Sequence, residues 1–280
     1  MNTGRERLIL LTPGTFWLMV FFLAPLFVLF IYSFWVVENY RIVVDPGLRN
    51  YTKIISGEIY YGVAIRTIRI ALVVTVLSLL ISYPVAYYLA RKVRRFRFTL
   101  LMLIIMPLWI SFLVRTFAWA LVLGRNGVIN QALQGIGLTD EPLEWLLYSE
   151  FAVTIALIHI YMPFMVLPIY AVLERFDGTL LEAARDMGAS KLRAFLTVTL
   201  PLSMPGVIAG TIFVFVPAIG AYVTPELIGG TDGMMFGNLI AQQFGATFEY
   251  PFGSALTVAM IAFVATIISI GLRYGRLGRT

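Results

Sequence analysis

The chain contains no cysteine and a single histidine, His159, in 280 residues. Disulfides, thiol catalysis and thiolate metal sites are thereby excluded. One histidine without further ligands nearby makes no metal site, and His159 reads instead as a hydrogen bond between helices. Charge is scarce as well, at 13% of residues against about 25% in an average soluble domain. No G-x-x-x-x-G-K-[ST] sequence is present, so the chain is not itself a P-loop ATPase. No G-x-S-x-G and no paired carboxylates at membrane depth suggest enzymatic work. The sequence assigns no catalytic, cofactor-binding or metal-binding residue.

What the chain has in abundance is apolar surface. Hydrophobic residues make up 60%, against about 45–50% for soluble domains. Six apolar runs stand out, at about Thr15–Val36, Ile65–Ala90, Phe98–Leu123, Phe151–Leu173, Gly206–Ile228 and Ser254–Leu272. Each is near the roughly 20 residues that cross about 30 Å of hydrocarbon as a helix. They are far too long for barrel strands, and in lipid a helix satisfies its own backbone. The expected fold is all-α and polytopic. The polar stretches are too short to stand as soluble domains, cores below ~40 residues rarely folding alone. One transmembrane domain is therefore expected over residues 1–280, with the first span at about 15–36 and a core at about 62–273. Arg5 and Arg7 precede the first run without a small-residue cleavage site after it, so it reads as an uncleaved span.

The net charge of +6 would suggest nucleic acid in a soluble protein, but its distribution points to membrane topology and to no nucleic-acid partner. Arg5 and Arg7, then Arg91, Lys92, Arg94, Arg95 and Arg97, then Arg175, Arg185, Lys191 and Arg193, then Arg273, Arg276 and Arg279 all fall on one side of the six spans. The stretch from Gly229 to Gly253 has neither Lys nor Arg. By the positive-inside rule both termini and the stretch at about 174–205 are expected to be cytoplasmic. Three outward loops follow, Val37–Ala64 with an extended-looking Asn50-Tyr51, Gly124–Glu150, and Gly229–Gly253. The acidic character of the last two suits a cationic solute or a docking protein; the exclusion of Lys and Arg from translocated loops accounts for it equally.

A few residues inside the spans are candidates for a solute pathway. Arg115, in MPLWISFLVRTFAW, stands seventeen residues after Phe98, about 25 Å along a straight helix at 1.5 Å per residue. That depth allows snorkelling, a structural pair or a place on the pathway. Trp109 lies in the same phrase. The stretch PAIGAYVTPELIGG from Pro217 reads as a broken helix carrying Glu226, and broken helices recur beside transport pathways. Glu226 could meet a cation or pair at the interface, and Tyr222 and Phe236 could add cation–π contact, worth roughly 2 kcal/mol when desolvated. Gly206 and Gly210 form a small-xxx-small pair suited to close helix packing.

The most informative stretch is LLEAARDMGASKLRAFLTVTLPLSMPGVIAG, Leu180 to Gly210. It carries Glu182, Arg185, Asp186, Lys191 and Arg193 between two apolar spans, so water must reach it. Gly costs about 1 kcal/mol in a helix and Pro about 3. The expected shape is helix, bend at Gly188, helix, and a stop at Pro201. Glu182-Ala183-Ala184, then Gly188, then Val198-x-Leu200-Pro201 resembles the EAA loop of bacterial ABC-importer permeases, with Val198 where isoleucine is commoner.

The phrases MPLWISFLVRTFAW, GRNGVINQ, PAIGAYVTPELIGG, FGNLIAQQF and YPFGSAL extend the resemblance to permeases of the spermidine/putrescine type, from about Thr15 to the last span. The resemblance implies a type I ABC importer in which Glu182, Ala183, Ala184, Arg185, Asp186, Gly188, Leu200 and Pro201 form the coupling loop. Two ATPase subunits would bind such loops from the cytoplasm, a second permease would complete the pathway, and a soluble binding protein would deliver solute from outside. ATP and magnesium would sit on the ATPase partner, with no cofactor on this chain. Relatives for opines, 4-aminobutyrate and other amino compounds share these phrases, so the solute stays open between them and a polyamine. A secondary transporter without an ATPase is the rival class.

Overall fold

The structure is a computed structural model describing residues 3–175 and 178–277, with side chains over 10–175 and 178–270. The side chains of Arg5, Arg7, Arg273, Arg276 and Arg279 lie outside that range. Among the described residues, six helices are long and apolar enough to cross a membrane: Leu10–Tyr32, Glu58–Arg91, Phe112–Gly135, Glu150–Glu174, Lys191–Ile219 and Tyr250–Ile270. They are called the first to sixth spans below. A shorter apolar helix, Arg97–Trp109, precedes the third. The chain divides into two compact units, Met1–Tyr61 with Leu239–Thr266, and Gly62–Asn238 with Ile267–Thr280.

In the larger unit the fourth and fifth spans form the centre. Small residues set how closely they pack. A Cβ added at Gly206 would stand 2.7 Å from the Pro168 carbonyl oxygen, and one at Gly210 would stand 2.8 Å from Met165 Sδ. The small-xxx-small pair therefore brings backbone against side chain and backbone, the geometry that drives association where lipid removes the hydrophobic incentive. The second span joins this pair through Tyr83, whose hydroxyl meets Ser203 Oγ at 2.8 Å. Tyr83 and Tyr87 also set their rings edge-on to Phe195.

Proline shapes the spans in two ways. Residues Met19–Leu23 and Phe195–Thr199 are π-helical, and the turns end two residues before Pro25 and Pro201 respectively, with Ala24 N–H reaching Met19 O and Leu200 N–H reaching Phe195 O. A proline ring collides with the carbonyl four residues back and lacks an N–H; the wider turn accommodates both and keeps the chain helical. The expected stop at Pro201 is therefore absent, and the fifth span begins at Lys191 rather than Gly206. At Pro107 the outcome is opposite. Helix Arg97–Ile105 passes into a 3-10 turn at Met106–Trp109, Ile110 (ψ 136°) and Ser111 (ψ 138°) are extended, and helix resumes at Phe112. The expected span Phe98–Leu123 is thus broken in the middle. The 25 Å depth assigned to Arg115 assumed a straight helix and falls with it.

The smaller unit also departs from expectation. Asn50-Tyr51 is helical, within Arg49–Ser56, and not extended. Asn50 is buried because its amide donates to Ser33 O at 2.9 Å and Trp35 O at 2.8 Å, tying off the end of the first span. A two-stranded hairpin, Val36–Glu38 with Arg41–Val43, turns through Asn39 and Tyr40, both at positive φ. The stretch expected as a loop, Gly229–Gly253, contains helix Phe236–Gly245.

Candidate functional site

Two sites were expected, and both lie in the larger unit. The first is the segment after the fourth span. Helix Thr179–Asp186 ends on Gly188 at φ +87°, with Gly188 N–H bonded to Arg185 O at 2.8 Å and Ala189 N–H to Ala184 O at 3.0 Å. These two bonds are the Schellman pattern, which uses a left-handed residue to satisfy the last carbonyls of a helix. Ser190 then caps the next helix, its Oγ accepting from Arg193 N–H at 3.3 Å. The turn is therefore defined at every backbone group, and Gly188 is its pivot.

Glu182, Ala183, Arg185, Asp186 and Gly188 are exposed, while Ala184 is buried beneath them. Leu200 is half-buried and Pro201 exposed. Met187 and Leu192 flank the turn at 83% and 68% exposure. In the sequence both read as ordinary helix formers, and only their exposure beside the turn marks them. The result is an exposed apolar pair beside the charged Glu182, Arg185, Asp186, Lys191 and Arg193 at a capped turn.

The second site lies where two interrupted spans meet. The fifth span ends at Ile219, the chain bends through Gly220–Tyr222, and a short helix Val223–Ile228 follows. That helix packs on Phe112–Leu123, with Thr116 Oγ1 and Thr224 Oγ1 buried 3.2 Å apart. So the break after Trp109 and the break after Ile219 flank one contact. Three of the last carbonyls of the fifth span have partners: Gly220 N–H takes Val216 O, Ala221 N–H takes Ala218 O, and Tyr161 OH donates to Pro217 O at 3.2 Å. Irregular backbone survives at membrane depth only inside protein or along a water-filled cavity. Trp109 and Ile110 are 76% and 48% exposed on this chain.

Arg115 occupies the first turn of Phe112–Leu123 and is half-buried, with Nε and Nη1 buried and without hydrogen-bond partners. It lines a cavity of about 310 Å³ with Ile110, Val114, Trp119 and His159. His159 Nδ1 accepts from Trp119 Nε1 at 3.2 Å, joining the third span to the fourth. Glu226 is exposed, and its Oε2 accepts from Asn238 Nδ2 at 2.7 Å. The same amide group donates to Tyr222 O at 2.9 Å, and Asn238 Oδ1 accepts from Met235 N–H at 3.1 Å. Asn238 thus holds the acid and the bend together. Its position in FGNLIAQQF gave no hint of this, because the partners are twelve and sixteen residues away.

Tyr222 is half exposed beside Glu226 in sequence. Phe236 is buried at 8% exposure, with its backbone N–H on Thr67 Oγ1 at 2.8 Å. Of the five pathway candidates, Trp109, Arg115, Tyr222 and Glu226 lie around the two breaks, and Phe236 opens helix Phe236–Gly245.

Comparison with known proteins follows the same lines. Residues 82–277 match the family described as binding-protein-dependent transport system inner membrane component. The chain is 36% identical over 230 residues to the spermidine/putrescine transport system permease protein PotB of Escherichia coli K12, covering 82% of this chain and 83% of that one. It is 33% identical over 277 residues to PotB of Salmonella typhimurium, covering 99% and 96%. Among solved structures, a bacterial alginate ABC transporter, crystallised in complex with an alginate pentasaccharide-bound periplasmic protein, superposes with a TM-score of 0.72. The match covers 100% of this chain and 98% of that one at 19% identity, a likeness of fold. Among the described residues, six helices long and apolar enough to cross a membrane agree with these matches. The chain belongs to the binding-protein-dependent transport system inner membrane component family, and is a multi-pass inner-membrane permease of an ABC importer.

Proposed function

We propose that this permease carries a polyamine of the spermidine or putrescine kind, driven by ATP hydrolysed on partner subunits. The observation that carries the solute class is the 33–36% identity to permeases named for spermidine/putrescine transport, over most of the chain. The exposed carboxylate of Glu226, held by Asn238 at the bend of the fifth span, suits a cationic solute. In this reading a second, similar permease covers the exposed break at Trp109–Ile110. A soluble binding protein brings solute to the outer face.

The elbow around Gly188 faces the cytoplasm with both termini and seats in an ATPase subunit. Met187 and Leu192 enter its groove, and Glu182, Arg185 and Asp186 pair around the rim. ATP and magnesium belong to that subunit. Arg91, Lys92, Arg94, Arg95 and Arg97 between the second span and the Arg97–Trp109 helix support this orientation. The test is uptake of labelled spermidine and putrescine in cells with and without the intact gene, with the ATPase co-purified through the tagged chain. Loss of uptake on deletion, reversed by the gene, supports the reading; unchanged polyamine uptake overturns the solute class.

A second solute class is favoured by one observation. The unpartnered Nε and Nη1 of Arg115 lie in the first turn of a helix, where the helix dipole adds positive potential. That arrangement suits a carboxylate, as an opine or 4-aminobutyrate would bring. Competition decides between the two: excess 4-aminobutyrate that blocks uptake where spermidine does not assigns the amino-acid class.

A further inference from the structure

The smaller unit contains a cage whose chemistry matches an ammonium ion. Lys53 Nζ lies 4.1 Å from the centre of the Phe252 ring and 3.3 Å from Glu249 Oε2. Phe252 is itself fixed, 2% exposed and edge-on to Tyr60 at 5.1 Å. An aromatic face and a carboxylate on one cation are the two elements that recognise alkylammonium groups. Beside the cage opens a cavity of about 250 Å³ lined by Glu38, Arg49, Lys53, Glu249, Pro251 and Phe252.

The surroundings are rigid. Arg49 bridges Asp45 at 3.1 Å and Glu38 at 3.9 Å, latching the hairpin to helix Arg49–Ser56. Asn50 holds the same helix to the end of the first span, and Tyr51 OH meets Ser33 Oγ at 2.7 Å. Lys53 alone is free to leave without undoing these contacts. Its side chain is half exposed, and its stem has four rotatable carbons. When it leaves, Glu38 and Glu249 line a cavity whose remaining base, Arg49, is engaged closely by Asp45 at 3.1 Å and only loosely by Glu38 at 3.9 Å.

We propose that this cage is a binding site for primary alkylamines, diamines in particular, and that Lys53 occupies it as a tethered substitute. The lysine side chain is chemically an alkylammonium on a leash. An incoming diamine displaces it, one ammonium settling between Glu249 and Phe252 and the other meeting Glu38 in the cavity. The site belongs to the unit of residues 1–61 and 239–266, whereas the candidate pathway residues belong to the other. It stands independently of which solute the permease moves, since binding is read directly.

The test uses the purified permease, with whatever subunits accompany it, in nanodiscs, and labelled putrescine in equilibrium dialysis. A ligand's apparent Kd rises by the fraction of time its site is closed to it, so a cage filled by Lys53 nine-tenths of the time weakens binding about tenfold. Lys53→Met should therefore bind putrescine about tenfold more tightly than the unaltered chain. Lys53→Arg, which refills the cage, should not. Glu249→Gln added to Lys53→Met should abolish the gain, and 1,4-butanediol should not compete. Both substituted side chains are 41–49% exposed, and an unchanged melting temperature confirms that each variant is folded. Equal binding by Lys53→Met and the unaltered chain overturns the proposal. So does a gain that survives Glu249→Gln, because the amine then sits elsewhere.

Discussion

Gly188 offers the sharpest test of the coupling elbow. Nothing lies within 4 Å of a Cβ built there, so a side chain meets no steric obstacle, and its φ of +87° is the whole difficulty. An L-residue in the left-handed region costs about 1–2 kcal/mol. The alternative, rotating the residue out of that region, breaks the Gly188–Arg185 and Ala189–Ala184 bonds and swings Ser190 off its cap. Either way the elbow spends less time in its docking shape. If the ATPase takes only that shape, its affinity falls by the same factor, roughly 5–30-fold for 1–2 kcal/mol. The side chain chosen sets the order. Asn tolerates the left-handed region and serves as a helix C′ residue, so Gly188→Asn should hold the ATPase within a few-fold of the unaltered chain. Gly188→Ala should lose roughly tenfold, and Gly188→Val, branched at Cβ, more than that. The assay is titration of the ATPase onto tagged permease in detergent, with uptake measured in parallel and membrane insertion matched by blot. Val binding as tightly as Gly would refute the claim that the left-handed turn is what the ATPase reads. So would Asn and Ala falling equally, since that outcome answers to side-chain size and not to φ.

The close approach of the fourth and fifth spans predicts that Gly206→Ala destabilises more than Gly210→Ala. The first Cβ meets backbone at 2.7 and 3.0 Å, the second a movable Met165 Sδ at 2.8 Å; overpacking costs typically ~1–3 kcal/mol, read as a lower melting temperature in detergent. Glu226→Gln should raise the apparent KM for a polyamine several-fold with expression matched, and Asn238→Leu should do the same by releasing the carboxylate it holds. An unchanged KM in both leaves Glu226 a structural residue. Arg97 donates to Val93 O, Ala90 O and Glu174 Oε1, so Arg97→Lys, with a single ammonium in place of the fork, should lower the melting temperature nearly as far as Arg97→Ala. A lysine that restores it fully would show that charge alone holds the second span to the base of the fourth.

What the sequence made legible divides by the range of the interaction that decides it. The spans were readable because twenty consecutive apolar residues leave a helix no competitor in lipid. The bend at Gly188 was readable because a glycine between two runs of helix formers names its own conformation. The small pair Gly206 and Gly210 was readable because four-residue spacing puts both on one face. Proline was not readable in the same way. Pro201 and Pro107 both follow apolar helix, yet the chain passes the first through a wide turn and breaks at the second. Each proline removes one donor and displaces one carbonyl, and both outcomes answer that local demand. The choice rests on packing. Phe195, inside the wide turn before Pro201, is clasped by Tyr83 and Tyr87, which holds the helix in line. The segment at Ile110–Ser111 has an exposed face on this chain and nothing there to straighten it. Asn238 and the Thr116–Thr224 contact were hidden for the same reason, since their partners stand 12 to 108 residues away. The pathway candidates could be listed from chemistry, but only the fold shows Phe236 buried and brings Asn238 to Glu226. Helix breaks of this kind belong to the site: a continuous third or fifth span would satisfy its own backbone and leave Trp109, Tyr222 and Glu226 no bend to stand on.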